Sequence, residues 1–449
     1  MGIVSTNRVR REKSLRSADS HLISVLMKVA AVVLLWYLLW VPCVGQESDN
    51  HGFVPTIKLA IGSPRDIAAG DFNEDGNIDL VVTATQGFTA AVLGASEPTW
   101  TRNLILLLGD GKGGFGAPIH LLSETEKSFI DFSGIFVKDM NADGHLDIVL
   151  LGVKGVTNPQ GSILLLLGDG KGHFSEPQRL EIGVAPSDAV SADFNEDGRM
   201  DIAVADPYSH EVYLLVQNKG DTFGWMSPKI AFHQEHHYPA ALAVGDFNED
   251  GHIDLAVAGF KYIGPKQFLR FVVLLLGDGT GRFTEGKRVD FSPTEEIPHS
   301  LNLIPVDYDH DGHLDLIMST IDEAVVLLGN GKAEFKQKTL FPLDNPDTSL
   351  YICELNADTC WDWVTLDYSN DKTEVIISPC KTGRYGPQGL DVLVPYLRPV
   401  AVAVIDVNND DKNDVVLMRN MQTDTEAGGK HEEWTYIDIL LNSLILSGS

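Results

Sequence analysis

One nine-residue pattern recurs along this chain. In the first copy Asp71, Asn73, Asp75 and Asp79 stand at positions 1, 3, 5 and 9, with Gly76 at position 6. The second copy uses Asp139, Asn141, Asp143 and Asp147, and the third Asp193, Asn195, Asp197 and Asp201. The fourth has Asp246, Asn248, Asp250 and Asp254, and the fifth Asp307, Asp309, Asp311 and Asp315. Degraded copies follow at Glu354 to Asp362 and at Asp406 to Asp414. The copies start 47 to 68 residues apart. A period of that size marks a repeat architecture in which each copy is one supersecondary unit.

The flanks of each copy are constant. A short strand such as Pro239 to Gly245 precedes it and an apolar strand such as Leu255 to Ala258 follows. A third strand, such as Leu104 to Leu108, then ends in a glycine turn and an aromatic, Gly109 to Phe115. The turn recurs at Gly168 to Phe174, Gly277 to Phe283 and Gly329 to Phe335, where glycine supplies positive φ for a tight hairpin. No helical period appears after residue 50, and short strands between regular turns predict an all-β chain. Four strands per repeat predict a seven-bladed β-propeller over residues 51–445, with the Asp-rich loops joining first and second strands. The ends predict how the ring closes. A strand at 53–60 lacks a blade before it, and Tyr436 to Asn442 lacks a strand after it. Paired, they complete the last blade and remove an open edge.

With these motifs in view, the chain resembles the FG-GAP/VCBS repeat family, including the propeller of integrin α subunits, over residues 52–442. The resemblance implies the propeller fold and calcium in the loops. Fold alone does not assign a ligand or an activity.

The loop chemistry agrees with calcium, a hard cation that takes six to eight oxygens at about 2.3–2.6 Å. Positions 1, 3, 5 and 9 offer side-chain oxygens, position 7 a backbone carbonyl, and glycine at 6 permits the bend. The position-7 residues Asn77, His145, Arg199, His252 and His313 differ from copy to copy. That variety is expected if only their carbonyls are used, and it speaks against these histidines as transition-metal ligands. Without a cation, several carboxylates in one loop would repel one another. Asx turns without metal are the alternative for any single copy. In the sixth copy Glu354 and Thr359 replace Asp and Gly, and Cys353 and Cys360 flank the loop. A Cys353–Cys360 disulfide is expected to clip it, with Cys360–Cys380 as the competing pair. The seventh keeps Asp406, Asn408, Asp410 and Asp414 but has Asp411 in place of glycine. About five to six structural Ca2+ sites are therefore expected.

The 34 basic against 63 acidic residues give a net charge of −29. Nucleic acid is a poor partner for such a surface, because duplex binding needs a basic face. Residues 1–50 read as a signal peptide or an N-terminal membrane anchor. Arg8, Arg10, Arg11, Lys13 and Arg16 precede an apolar run from Leu22 to Val41, and Cys43, Val44 and Gly45 lie near the exit. Either reading sends the remainder out of the cytoplasm, secreted or on the cell surface, with membrane contact only through that segment. The chain is expected to act as a monomer.

By resemblance to integrin propellers, a glycan or protein ligand would use the rim opposite the metal loops. Connections on that rim run from Gln86 to Asn103, Val153 to Gly161, Phe260 to Phe268 and Asn420 to Glu433. They carry Trp100 and Tyr262, and a further connection carries His233, His236, His237 and Tyr238. Exposed aromatics there suit sugar stacking or protein contact; packing among the loops is the plainer alternative. The chain holds no G-x-S-x-G, H-E-x-x-H or P-loop pattern. A non-catalytic binding or adhesion module is the first reading. A secreted polysaccharide lyase-like enzyme is the alternative, with His236, His237 and Tyr238 as its visible candidates. A scaffold domain held at the membrane is a third.

Overall fold

A computed structural model describes residues 57–441 apart from 60, 89–98, 127–129, 155–158, 218–228, 266, 295–300, 320–322, 343–348, 354–360, 368–372, 379–389, 395–398 and 424–431. The expected signal or anchor over residues 1–50 lies outside the described residues, as do Glu354, Thr359, Cys360 and Cys380.

The described residues form seven four-stranded sheets and no helix. The first sheet holds β2 (Ser63–Gly70), β3 (Asp79–Phe88), β4 (Thr99–Leu107) and β5 (Ile119–Glu126). The second holds β6 (Ile130–Lys138), β7 (Asp147–Lys154), β8 (Gln160–Leu166) and β9 (Gln178–Glu181). The third holds β10 (Asp188–Ala192), β11 (Asp201–Asp206), β12 (Glu211–Leu215) and β13 (Lys229–His233). The fourth holds β14 (His237–Gly245), β15 (Asp254–Gly264), β16 (Gln267–Gly277) and β17 (Phe283–Asp290). The fifth holds β18 (Asn302–Val306), β19 (Asp315–Ser319), β20 (Glu323–Leu328) and β21 (Lys336–Pro342). The sixth holds β22 (Ser349–Cys353), β23 (Asp362–Asp367), β24 (Thr373–Ser378) and β25 (Leu390–Val394). The seventh takes β26 (Pro399–Ile405), β27 (Asp414–Thr423) and β28 (Glu432–Leu440) from the end of the chain and β1 (Ile57–Leu59) from its beginning.

β1 pairs antiparallel with β28, Ile57 opposite Ile437 and Leu59 opposite Thr435. The described strand is three residues long, shorter than the expected 53–60, whose first residues lie outside the description. Thr435 Oγ1 donates to the Gly62 carbonyl at 2.7 Å, beside this pairing.

The core lies between sheets. Phe72, Leu104 and Leu106 of the first sheet and its loop pack on Phe132, Ile148 and Leu164 of the second. The second packs on the third through Val149, Ile163, Ile202 and Val204. Further clusters join the third to the fourth and the fourth to the fifth. Leu80 and Ile105 of the first sheet meet Val416, Met418 and Ile437 of the seventh. Inner strands are covered on both faces, so they read as unbroken apolar runs such as Leu104 to Leu107 rather than alternating ones. Buried Asp66 and Asp188 fasten adjacent sheets by backbone contact. Asp66 Oδ2 accepts from Ile135 N at 3.1 Å, and Asp188 Oδ2 from Leu242 N at 2.8 Å. The result is all-β and consistent with a propeller-like arrangement.

Candidate metal centre

All seven Asp-rich copies connect the first and second strands of their sheets. The side chains bend their own backbone. Asp71 Oδ1 accepts from Asp75 N at 3.1 Å and Asp71 Oδ2 from Gly76 N at 2.9 Å. Asn73 Oδ1 also takes Asp75 N, at 3.0 Å, and Asp75 Oδ1 takes Asn77 N at 2.9 Å. The same bonds recur in the second and fourth loops. These Asx-type bonds are why Asp and Asn, and not Glu, fill the positions. Position 6 is glycine for conformation and not for space. Its φ runs from 85° to 92° in the first five loops, yet a Cβ there would meet nothing within 4 Å. In the seventh loop Asp411 adopts φ 64°, inside the left-handed well that Asp tolerates. Asp411 N still reaches Asp406 Oδ2 at 2.8 Å, so the loop keeps its shape without glycine.

The position-9 carboxylates are the anchors. Asp79, Asp147, Asp201, Asp254, Asp315, Asp362 and Asp414 are all fully buried. Asp254 Oδ2 accepts from Phe247 N at 3.0 Å, within the loop, and Oδ1 from Gly277 N at 2.9 Å, at the end of the third strand. The pairs at Asp79, Asp147 and Asp315 are equivalent. Burial pushes Asp147, Asp201 and Asp254 up to about 6 against the pull of these N–H donors, and it also raises Asp79 and Asp315. The neighbouring carboxylates at positions 1 and 5 push Asp79, Asp147 and Asp254 in the same direction. A cation in the loop would oppose both effects.

The donor set fits a hard divalent cation. One carboxylate oxygen from each of Asp307, Asp309 and Asp315 lies within 4.8 Å of the others. Oxygens bound at about 2.3–2.6 Å to one ion lie no further apart than about 5 Å. In addition, Asp201 Oδ2, Asp307 Oδ1 and Asn408 Oδ1 are buried acceptors with no hydrogen-bond partner. They stand at positions 9, 1 and 3 of three different loops. Buried acceptors left in this way call for an explanation, and an absent ion is one of the few.

The position-7 side chains are not idle, contrary to the sequence expectation. His145 Nδ1 lies 2.5 Å from Glu74 Oε1 of the preceding loop, and His252 Nδ1 lies 2.5 Å from Glu196 Oε1. His313 pairs likewise with Glu249, and Asn409 Nδ2 donates to Asn77 Oδ1 at 2.9 Å. The glutamates raise the pKa of all three histidines, chiefly through these hydrogen bonds. Arg199 instead turns back on Asp197 at 3.1 Å. Sequence reading missed the pattern because each pair joins residues 56 to 71 positions apart, or 332 for the last.

Away from the Asp-rich loops, three connections converge. Tyr208 sits between β11 and β12, His236 and His237 where β13 passes to β14, and Tyr262 near the tip of the β15–β16 hairpin. The expected long connection from Phe260 to Phe268 is in fact strand, paired through Tyr262 opposite Phe268. Cross-strand aromatic pairs favour this extension. Tyr238 stacks on Phe260 at 4.8 Å and meets His210 edge-on at 4.6 Å. Burial pushes the Tyr238 phenol up, and nearby Tyr262 and Tyr208 add to it. Tyr208 and Ile263 are 40% and 43% exposed. Trp100 is a strand residue of β4, paired with Gly87. Cys353 ends β22, and its expected disulfide partner Cys360, like the Cys380 of the competing Cys360–Cys380 pair, lies outside the described residues.

His237 is buried and fully engaged. Arg288 Nη1 donates to its Nε2 at 2.6 Å, so its Nδ1–H donates to the Glu235 carbonyl at 3.0 Å. Burial lowers its pKa, and Arg288 adds to the shift. His236 is exposed, with φ 62°.

A family model described as FG-GAP-like repeat matches residues 139–204 and 193–257. Mouse phosphatidylinositol-glycan-specific phospholipase D is 31% identical over 151 residues, 29% of this chain and 18% of that protein. Integrin alpha-3 of Cricetulus griseus is 26% identical over 184 residues, 37% of this chain and 17% of that protein. The chain thus spans under a fifth of the length of these curated relatives. A solved lectin from Agrocybe aegerita, described for recognition of non-reducing terminal N-acetylglucosamine, aligns with a TM-score of 0.39 and 15% identity over 79% of this chain and 94% of that one. The chain carries FG-GAP-like repeats, of the kind that relates it to integrin alpha-3 and to phosphatidylinositol-glycan-specific phospholipase D.

Proposed function

We propose that the chain is an extracytoplasmic, calcium-stabilised, seven-bladed β-propeller that binds a glycan or protein ligand. Its seven sheets act as blades, and the β1–β28 pairing closes the ring between the first and last. Calcium is held by positions 1, 3, 5 and 9 of the loops, with the position-7 carbonyl completing each set. It neutralises the loop carboxylates and fixes the first-to-second strand connection. The observation that carries this reading is that Asp201 Oδ2, Asp307 Oδ1 and Asn408 Oδ1, at ligand positions of three loops, are among the buried acceptors without a partner. The secretory or anchored location rests on the composition of residues 1–50.

The ligand face is the rim opposite the loops, centred on Tyr208, Tyr238 and Tyr262. Flat aromatic faces with hydroxyl edges suit a sugar ring or a protein hot spot. The lyase-like alternative is weakened by His237. Both of its ring nitrogens are occupied within the protein, so it has no lone pair with which to take a substrate proton.

A glycan array with calcium, followed by direct titration of the best ligand, tests the rim. Tyr262→Ala is expected to weaken binding about tenfold. Chelation is expected to abolish binding, since the loops hold the blades that present the rim. Binding indifferent both to Tyr262→Ala and to Tyr208→Ala would place the ligand elsewhere.

A further inference from the structure

Three contacts link four of the metal loops to the loop of the preceding blade, and in those four they occur together. The first is the side-chain bridge from position 4 of one loop to position 7 of the next. It joins Glu74 to His145, Glu196 to His252, Glu249 to His313 and Asn409 to Asn77. The second is a backbone bond from the third-to-fourth strand turn to the position-2 carbonyl of the preceding loop. Gly172 N reaches Phe72 O at 3.0 Å, Gly281 N reaches Phe194 O at 2.9 Å, Ala333 N reaches Phe247 O at 2.9 Å and Gly113 N reaches Val407 O at 3.2 Å. The third is a turn glycine lying against the bridge. A Cβ on Gly279 would sit 2.6 Å from both Glu196 Oε1 and His252 Nδ1. Gly111, Gly170 and Gly331 cover the other three bridges in the same way.

The third loop lacks the bridge, and its following turn sequence lacks the glycine that faces the bridge in the other four. Position 4 of the preceding loop is Ala142, Arg199 bonds its own loop, and in the sequence Gln217 and Lys219 stand at the register of Gly109 and Gly111. In the sequence, the turn glycine accompanies the bridge in four copies and is Lys219 in the third, where the bridge is absent. This covariation within one chain separates a built device from four coincidental contacts.

Position 4 lies between ligand positions 3 and 5 and is held in the left-handed region, φ 55–59°, in all six described loops. Position 7 offers its carbonyl to the cation. Fixing one loop around an ion thus fixes the residue that orients the next loop's position 7. We propose that Glu74, Glu196, Glu249 and Asn409 are positioning residues for the calcium site of the following blade, and that they couple the sites into two runs, loops seven, one and two and loops three, four and five. The inference rests on the calcium reading above. By linkage, each site in a run strengthens its neighbour reciprocally.

Trp361 makes the test specific. Its Nε1 donates to the Asp307 carbonyl at 3.0 Å, so its indole lies against the fifth loop. Terbium in place of calcium, excited through tryptophan in the full chain, gives a signal from that loop, identified as the part lost in Trp361→Phe. Glu249→Ala is expected to raise the terbium midpoint of the fifth loop about fivefold or more. Ala142 already occupies position 4 of the second loop at φ 59°, so alanine is compatible with that backbone. Glu74→Ala, in the other run, is expected to leave the midpoint unchanged. Asp250→Ala, which removes a ligand of the fourth loop but not the bridge, is expected to raise it in the parent chain and not in the Glu249→Ala background. A purely structural role for Glu249 would not produce that non-additivity. A Trp361-dependent signal with the same midpoint in the parent chain and in Glu249→Ala would overturn the coupling alone. Absence of any Trp361-dependent signal would overturn the calcium reading of this loop, and the coupling with it.

Discussion

Asp254→Ala is expected to destabilise the protein by about 2–6 kcal/mol, read as a fall in the urea midpoint. Asp254 is fully buried, and each of its oxygens serves a different element. Removing the carboxylate strands Phe247 N inside the loop and Gly277 N at the end of β16. Each orphaned buried donor costs about 1–3 kcal/mol. Part of this is offset, because the wild-type carboxylate is itself costly to bury, as its rise to about 6 indicates. That offset shrinks once a cation neutralises the carboxylate, so the loss is expected to be larger in calcium than in chelator. Asp254→Asn keeps one acceptor and should fall between the two. A substitution harmless in both conditions would remove Asp254 from its place as the anchor of the fourth sheet.

Gly277→Ala is expected to cost about 2–3 kcal/mol, more than Gly251→Ala in the loop of the same sheet. A Cβ on Gly277 would run into the backbone carbonyl of Ile253, which no side-chain rotation can relieve. Gly109, Gly168 and Gly329 face the carbonyls of Ile78, Leu146 and Leu314 in the same way. Easing the contact means moving β16 away from Asp254, on which Gly277 N depends. Gly251 has open space around it, and the penalty there is only that of a left-handed backbone, about 1–2 kcal/mol. The third sheet carries Gln217 at the equivalent register, where its N–H still bonds Asp201, but its whole turn has a different sequence. Chemical denaturation of the two glycine variants side by side checks the order. Equal losses would mean that conformation, and not close approach, selects glycine at Gly277.

The repeat made the all-β class and the position of the Asp-rich loops legible, because both depend on local spacing. Asp and Asn at alternate positions can only bend the chain on itself, and the glycine φ values follow from that bend. What escaped the sequence is what joins one repeat to the next. Glu74 and His145 are ordinary surface residues until the sheets pack side by side. Asp66 and Asp188 look like exposed strand-edge residues, yet they are buried and hold the following sheet. Away from the Asp-rich loops the stretch around Tyr262 reads as a loop because Gly264 and Pro265 interrupt it, whereas cross-strand pairing carries the hairpin out to that turn. His237 reads as a free histidine because Arg288, the residue that occupies it, lies 51 positions later on β17.

If the Asp-rich loops hold calcium, the ions hold the fold together. Thermal melting of the full chain with saturating calcium and after exhaustive chelation tests it most directly. Each site at a hundredfold excess of ligand over its dissociation constant adds about 2.7 kcal/mol, so several sites together are expected to separate the two melting temperatures by at least about 10 °C. Identical melting temperatures in calcium and in chelator would contradict the account.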